Sequence, residues 1–147
     1  MAAIREWYGG YSIIYRWFED NFGYEGLVRY WHHIAEHVYA DLADKFRQGG
    51  LPYIAGYFRE IIEEDEGSVD IALNEDSVTI DILECPDHIW QKHYDQGFSM
   101  PRENYYRSYE VIYGDVAKMA GLGFELLRYD KDGKLKFAFK KAQEMGV

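Results

Sequence analysis

One change of hydrophobic period does most to constrain the fold of this chain. Before Gly67 the apolar residues recur at three- and four-residue spacing, which gathers them on one face of a helix; after it they alternate, which gathers them on one face of a strand. Trp7, Tyr11, Ile14, Tyr15, Phe18 and Phe22 predict a first helix, ended by Asn21 to Gly23. Leu27, Trp31, Ile34, Val38, Leu42 and Phe46 predict a longer one from Tyr24 to Arg47, stopped at Gly49-Gly50. A third follows Pro52, burying Ile54, Tyr57, Phe58, Ile61 and Ile62, and closes on the acidic run Glu63 to Glu66.

Val69, Ile71 and Leu73, the turn Asn74-Glu75-Asp76, and Val78, Ile80 and Ile82 then read as a β-hairpin. Pro86 stops the second strand and starts a short helix running to Gly97; another, from Arg102 to Ala120, presents Tyr105, Tyr109, Ile112, Val116 and Met119. A second hairpin spans Phe124 to Tyr129, the turn Asp130 to Gly133, and Leu135, Phe137 and Phe139 alternating with lysines. The order α-α-α-β-β-α-α-β-β predicts one α+β domain over residues 1–147. Two isolated strands are marginal in water, so the hairpins are expected to join into a four-stranded antiparallel sheet with helices on one face.

With 48% hydrophobic and 29% charged residues, the composition is that of a chain able to bury a core. Cys85 is the single cysteine, which excludes an intrachain disulfide. Acidic residues outnumber basic ones 26 to 16, giving a formal charge of −10 that repels nucleic-acid phosphates and anionic lipid. The lysines at 131, 134, 136, 140 and 141 read as a solvated strand face. No apolar run approaches the roughly 20 residues of a membrane span, and the first ten residues lack a signal-peptide core, so the cytoplasm is the expected location.

Fourteen tyrosines are the strongest anomaly. A tyrosine buries a ring but leaves a hydroxyl in need of a partner, so two readings stand: a core that uses tyrosine, or an aromatic pocket for a small polar ligand with Tyr105, Tyr109 and Tyr113 as binding residues. His33 and His37, four apart on one helix face, could hold a divalent metal, although a solvated histidine face is the ordinary account; no other cofactor is implied. The string from His33 to His37 matches the inverted zinc-peptidase motif in letters, but the third-ligand helix has no counterpart here. Cys85 lies where a strand meets the amino end of a helix, a placement that lowers a thiol pKa; with His88 in the first helical turn it forms a candidate nucleophile and acid/base pair. The alternative is a buried, inert thiol. Asp115, after the mid-helix Gly114, is a candidate base, and the glycine suggests a close approach of another element there.

A strand ending in Cys85-Pro86, a tyrosine-bearing helix with Asp115 near its middle, a final Asp132-Gly133 hairpin leading to Phe137 and Phe139, and helices carrying Ala35, Tyr39 and Leu42 together resemble the L-2-amino-thiazoline-4-carboxylic acid hydrolase family, over residues 25 to 140. The resemblance implies hydrolytic opening of a small sulfur- and nitrogen-containing ring, with Cys85 and Asp115 at matching positions. Where that family tends to carry further cysteines, this chain has Ile112 or Tyr113 and Leu135. The expected function is therefore a hydrolase-like enzyme for a small polar cyclic C–N or C–S compound. The alternative is a non-catalytic ligand-binding module or an accessory subunit of a hetero-complex. Trp7, Trp17, Trp31 and Trp90, added to the tyrosines, are more aromatic surface than one small core hides, which points to a homo-oligomer.

Overall fold

The computed structural model describes residues 5–130 and 134–142. Its elements run α1 (Arg5–Val38), α2 (Ala40–Glu63), β1 (Ser68–Leu73), β2 (Ser77–Glu84), α3 (Pro86–Tyr94), α4 (Arg102–Tyr105), α5 (Arg107–Met119), β3 (Leu122–Tyr129) and β4 (Leu135–Lys141). The predicted order is matched in outline, with two helices before the first hairpin where three were expected and three between the hairpins where two were expected, and both hairpins join one antiparallel sheet in the order β1-β2-β4-β3. Three of its cross-strand rows are built of aliphatic and aromatic side chains. They are Leu73–Val78–Phe139–Phe124, Ile71–Ile80–Phe137–Leu126 and Val69–Ile82–Leu135–Tyr129. Such rows bring side chains within reach of one another on one face, and that is the face the helices cover. The opposite face carries Asp81 paired to Arg128 at 2.6 Å and Lys140 paired to Glu125. The turn at residues 131–133, and with it Lys131, lies outside the described residues.

The helical half departs from prediction in its breaks. The backbone of α1 breaks at Gly23 (φ 75°, ψ 171°) and that of α2 at Gly50 (φ 67°, ψ −162°), conformations open essentially to glycine alone. The helix expected from Tyr24 to Arg47 is also interrupted at Tyr39, and the one expected from Arg102 to Ala120 at Tyr106. The interruption rotates the apolar stripe: Leu27, Trp31 and Ala35 are buried before it and Ala43 and Phe46 after it, while Val38 is 70% exposed. Beyond the second break, Ile54, Phe58 and Ile62 pack as expected. Phe58 lies 5.0 Å from Phe137 and Phe46 lies 5.5 Å from Phe139, both edge to face, tying α2 to the sheet.

The first stripe needs the larger correction. Of its six residues only Tyr15 is buried and Phe18 half-buried; Trp7, Tyr11, Ile14 and Phe22 are exposed. Packing uses small residues instead. Gly9 lies so close to the Trp90 ring that a Cβ would fall 2.4 Å from it, and the Ser12 hydroxyl accepts from the Met100 amide at 3.1 Å and from Gln91 Nε2 at 3.0 Å. Steric fit and satisfied polar groups therefore chose the buried face over hydrophobicity. Nor does Gly114 mark a close approach: a Cβ there would meet Phe124 at 4.0 Å, ordinary contact.

Candidate functional site

A cleft of about 460 Å³ lies among the helices, within the roughly 300–1,000 Å³ typical of small-molecule sites. Its walls come from α1, α2, α4, α5 and the first turn of α3, and no strand residue lines it. Nine of the fourteen tyrosines surround it. Tyr105, Tyr109 and Tyr113 are among them, since a four-residue step keeps all three on one side of the α4–α5 run. Its lining includes exposed Tyr11 and Val38 as well as buried Tyr105, Tyr113 and Asp87.

Asp87 is the residue that sequence reasoning did not single out. Cys85 caps α3, Pro86 occupies its first turn with a pre-set φ, and the next side chain is delivered inward, leaving Asp87 only 6% exposed. A carboxylate taken out of water is costly unless it accepts hydrogen bonds. Tyr105 donates to Oδ1 at 2.8 Å and Tyr109 to Oδ2 at 3.0 Å, and the Cys85 thiol donates to Oδ2 at 3.5 Å. A second carboxylate, Asp65, lines the cleft just beyond α2 and accepts from Tyr8. Tyr57 and Tyr113 bring their hydroxyls to 3.5 Å. An acid two residues past a Cys-Pro strand end, facing a tyrosine at every fourth helical position, was the available signal.

The electrostatics follow from burial. Desolvation, and then the Asp87 charge, push the Cys85 thiol well up, against the lowering expected from the helix amino end. The thiol is 0% exposed and stays protonated at neutral pH, which is the inert reading of Cys85. Burial, followed by Asp87, raises Tyr105 and Tyr109; burial, followed by Tyr57, raises Tyr113. The cleft thus holds neutral phenols around a carboxylate that they solvate.

The other sequence candidates sit elsewhere. His88 is half-buried in the first turn of α3, its amide bonded to the Cys85 carbonyl at 2.9 Å, and does not line the cleft. Asp115 also lies outside the lining; its carboxylate meets His32 Nδ1 at 2.5 Å, joining α5 to α1. None of Cys85, His88 and Asp115 is among the lining residues of this cleft. His33 and His37 are exposed with ring centroids 4.3 Å apart, and among the described residues no group of three or more metal-ligating side chains assembles. Trp31 is wholly buried and Trp90 half-buried, leaving Trp7 and Trp17 as the exposed indoles. No described helix is long and apolar enough to cross a membrane.

These features define an α+β domain with a tyrosine-walled cleft between its helices. No protein-family model and no curated protein matches the chain.

Proposed function

We propose that the chain binds a compact polar small molecule in the tyrosine-walled cleft. One observation carries the reading: a buried carboxylate, held by two phenol hydrogen bonds, lines a cleft of ligand size. Apolar walls with a few convergent polar groups are the general form of small-molecule sites. Ligand-observed NMR with a library of compact polar fragments tests this, repeated on Ile34→Trp, which fills the cleft from a half-buried wall position. Fragments are expected to bind the parent chain and to lose binding in the variant while its melting curve is kept. Fragment binding that survives Ile34→Trp would place the ligand elsewhere.

A second, hydrolytic reading is favoured by Asp87 standing within hydrogen-bond reach of two proton donors. Asp87 would take a proton from an attacking water as its oxygen adds to a ring carbon. A tyrosine hydroxyl would give its proton to the ring nitrogen or sulfur as the C–N or C–S bond breaks, and would regain one through Asp87. In this account the base is Asp87; the protonated, enclosed Cys85 packs beside it, and Asp115 serves the His32 contact. The hydrolase-family resemblance stands behind this reading as a proposal. Turnover of a cyclic C–N or C–S compound is expected to vanish in Asp87→Asn and persist in Asp115→Asn; the reverse pattern would return catalysis to the resemblance's matching positions. Association of copies through the exposed Trp7, Trp17 and Phe22 surface is a separate proposal, read directly by sedimentation equilibrium.

A further inference from the structure

We infer that the free edge of β1 pairs with the same edge of a second copy of this chain, about a two-fold axis at Ile71, to make one continuous antiparallel sheet. In the order β1-β2-β4-β3, β1 and β3 are the edge strands. The Asn74 amide donates to the Ser77 carbonyl at 3.0 Å, and on the other side of β2 the Lys141 amide donates to the Asp76 carbonyl at 2.9 Å. Bonded pairs alternate along an antiparallel ladder, so Ala72 and Asp70 bond back to Thr79 and Asp81 of β2. Val69, Ile71 and Leu73 therefore direct their amides and carbonyls away from β2, and among the described residues no turn or loop takes them up. An edge of this kind is a template for another strand.

The two edges differ in how they are guarded. The register of β3 shifts between Leu126 and Arg128, an irregularity that interrupts an edge ladder, and Glu125 and Arg128 on that strand are held in ion pairs. β1 runs in regular register from Val69 to Leu73, holds no proline or lysine, and has Asp70 as its one charged residue. Leu73 belongs to the face that the helices cover, yet it is 48% exposed. Reversed in direction, β1 complements itself. An axis at Ile71 sets Ile71 on its own copy and Val69 on Leu73 of the second copy, which continues the covered face across the join. On the other face Asp70 comes opposite Ala72 of the second copy, so the two Asp70 carboxylates lie on a diagonal and never face one another directly. Each residue with outward backbone groups meets another such residue, the condition for exchanging both bonds. This isologous contact uses the β1 edge of both copies and leaves the irregular β3 edges outside, so the assembly closes as a dimer.

Sedimentation velocity of the full chain tests the inference. The formal charge of −10 opposes self-association, so the runs are made at about 0.15 M salt, where repulsion is screened beyond about 8 Å. A dimer is expected, and Ala72, exposed on the face away from the helices, reads its register. Ala72→Lys sets a lysine opposite Asp70 of the other copy, once on each side of the axis, and is expected to tighten dimerisation about tenfold. Ala72→Asp sets two like-charged pairs there and is expected to weaken it about tenfold. Ile71→Cys is expected to give a disulfide-linked dimer on oxidation, since bonded antiparallel residues stand about 5.5 Å apart between Cα atoms, within disulfide reach, while Cys85 is buried. Ile71 is half-buried; should that variant fail to fold, the two Ala72 variants decide the matter, because their site is exposed. A chain that stays monomeric up to about 1 mM overturns the inference. So does a folded Ile71→Cys dimer that does not crosslink, or a dimer indifferent to the charge at residue 72, which would give the contact to another surface such as the exposed indoles of α1.

Discussion

Cys85 and Asp87 stand two positions apart and share one buried environment. The thiol has no access to water and faces a carboxylate, so ionising it would add a second negative charge to a desolvated site. The carboxyl accepts from three donors, Tyr105, Tyr109 and the thiol itself, which offset part of the cost of taking it out of water. A consequence is that Cys85 behaves as a reporter of opening, not as a nucleophile. Ellman's reagent at pH 8 is expected to label the native chain at least about a hundredfold more slowly than the chain in denaturant, because labelling must await local unfolding. Native labelling at the denatured rate would show that the thiol is open to solvent and revive its catalytic role. The tyrosine triplet at 105, 109 and 113 was readable from helical spacing alone. Asp87 was not, because its burial is made by Tyr105 and Tyr109 from another part of the chain.

At the scale of elements, α1 and α2 are each two helices hinged on a glycine. The hinge at Gly50 lets Phe46 and Phe58, on either side of it, pack 6.3 Å apart and both reach the sheet through Phe139. An alanine at Gly50 keeps the composition of the helix but must adopt φ 67°, ψ −162°, which costs on the order of 1–3 kcal/mol for a residue with a Cβ. Gly50→Ala is therefore expected to lower the melting temperature by about 2–4 °C per kcal/mol lost. An unchanged melting temperature would mean that the two halves of α2 run on as one straight helix. The Gly49-Gly50 stop was legible in the sequence as a helix end. The interruptions at Tyr39 and Tyr106 were not, since neither bears a breaker residue and both serve packing against other elements: Tyr39 meets Tyr113 at 6.0 Å, and Tyr106 is wholly buried.

For the whole molecule, burial of so many phenols and a thiol sets the response to alkali. Eight tyrosines and Cys85 have their ionisation pushed upward on folding, chiefly by desolvation. In the unfolded chain these groups lose protons near their ordinary values, about 9 for the thiol and 10 for the phenols. In the fold they keep them. The unfolded state then binds fewer protons, so stability is retained in full below about pH 9 and falls above it, by about 1.4 kcal/mol per pH unit for each group fully engaged. Urea unfolding from pH 7 to 11 is expected to show a flat stability and then a steep decline, with the phenolate absorbance of the buried set appearing together with the loss of helix. Gradual phenolate formation in a chain that stays folded would show the cleft tyrosines to be solvated.

Period and punctuation, taken alone, determined which segments are helix and strand, that the two hairpins share a sheet, and which face of that sheet is apolar. These are local or nearest-neighbour properties, since alternation assigns a side chain to a face wherever the strand lies. Only the tertiary structure decided which face of the first helix is buried, that Cys85 is sealed and Asp115 turned toward His32, and that Asp87 lines a tyrosine cleft. Each of those outcomes depends on the crossing of helices distant in sequence. There the fit of Gly9 to an indole and of Asp87 to two phenols outweighs the hydrophobicity of any single stripe.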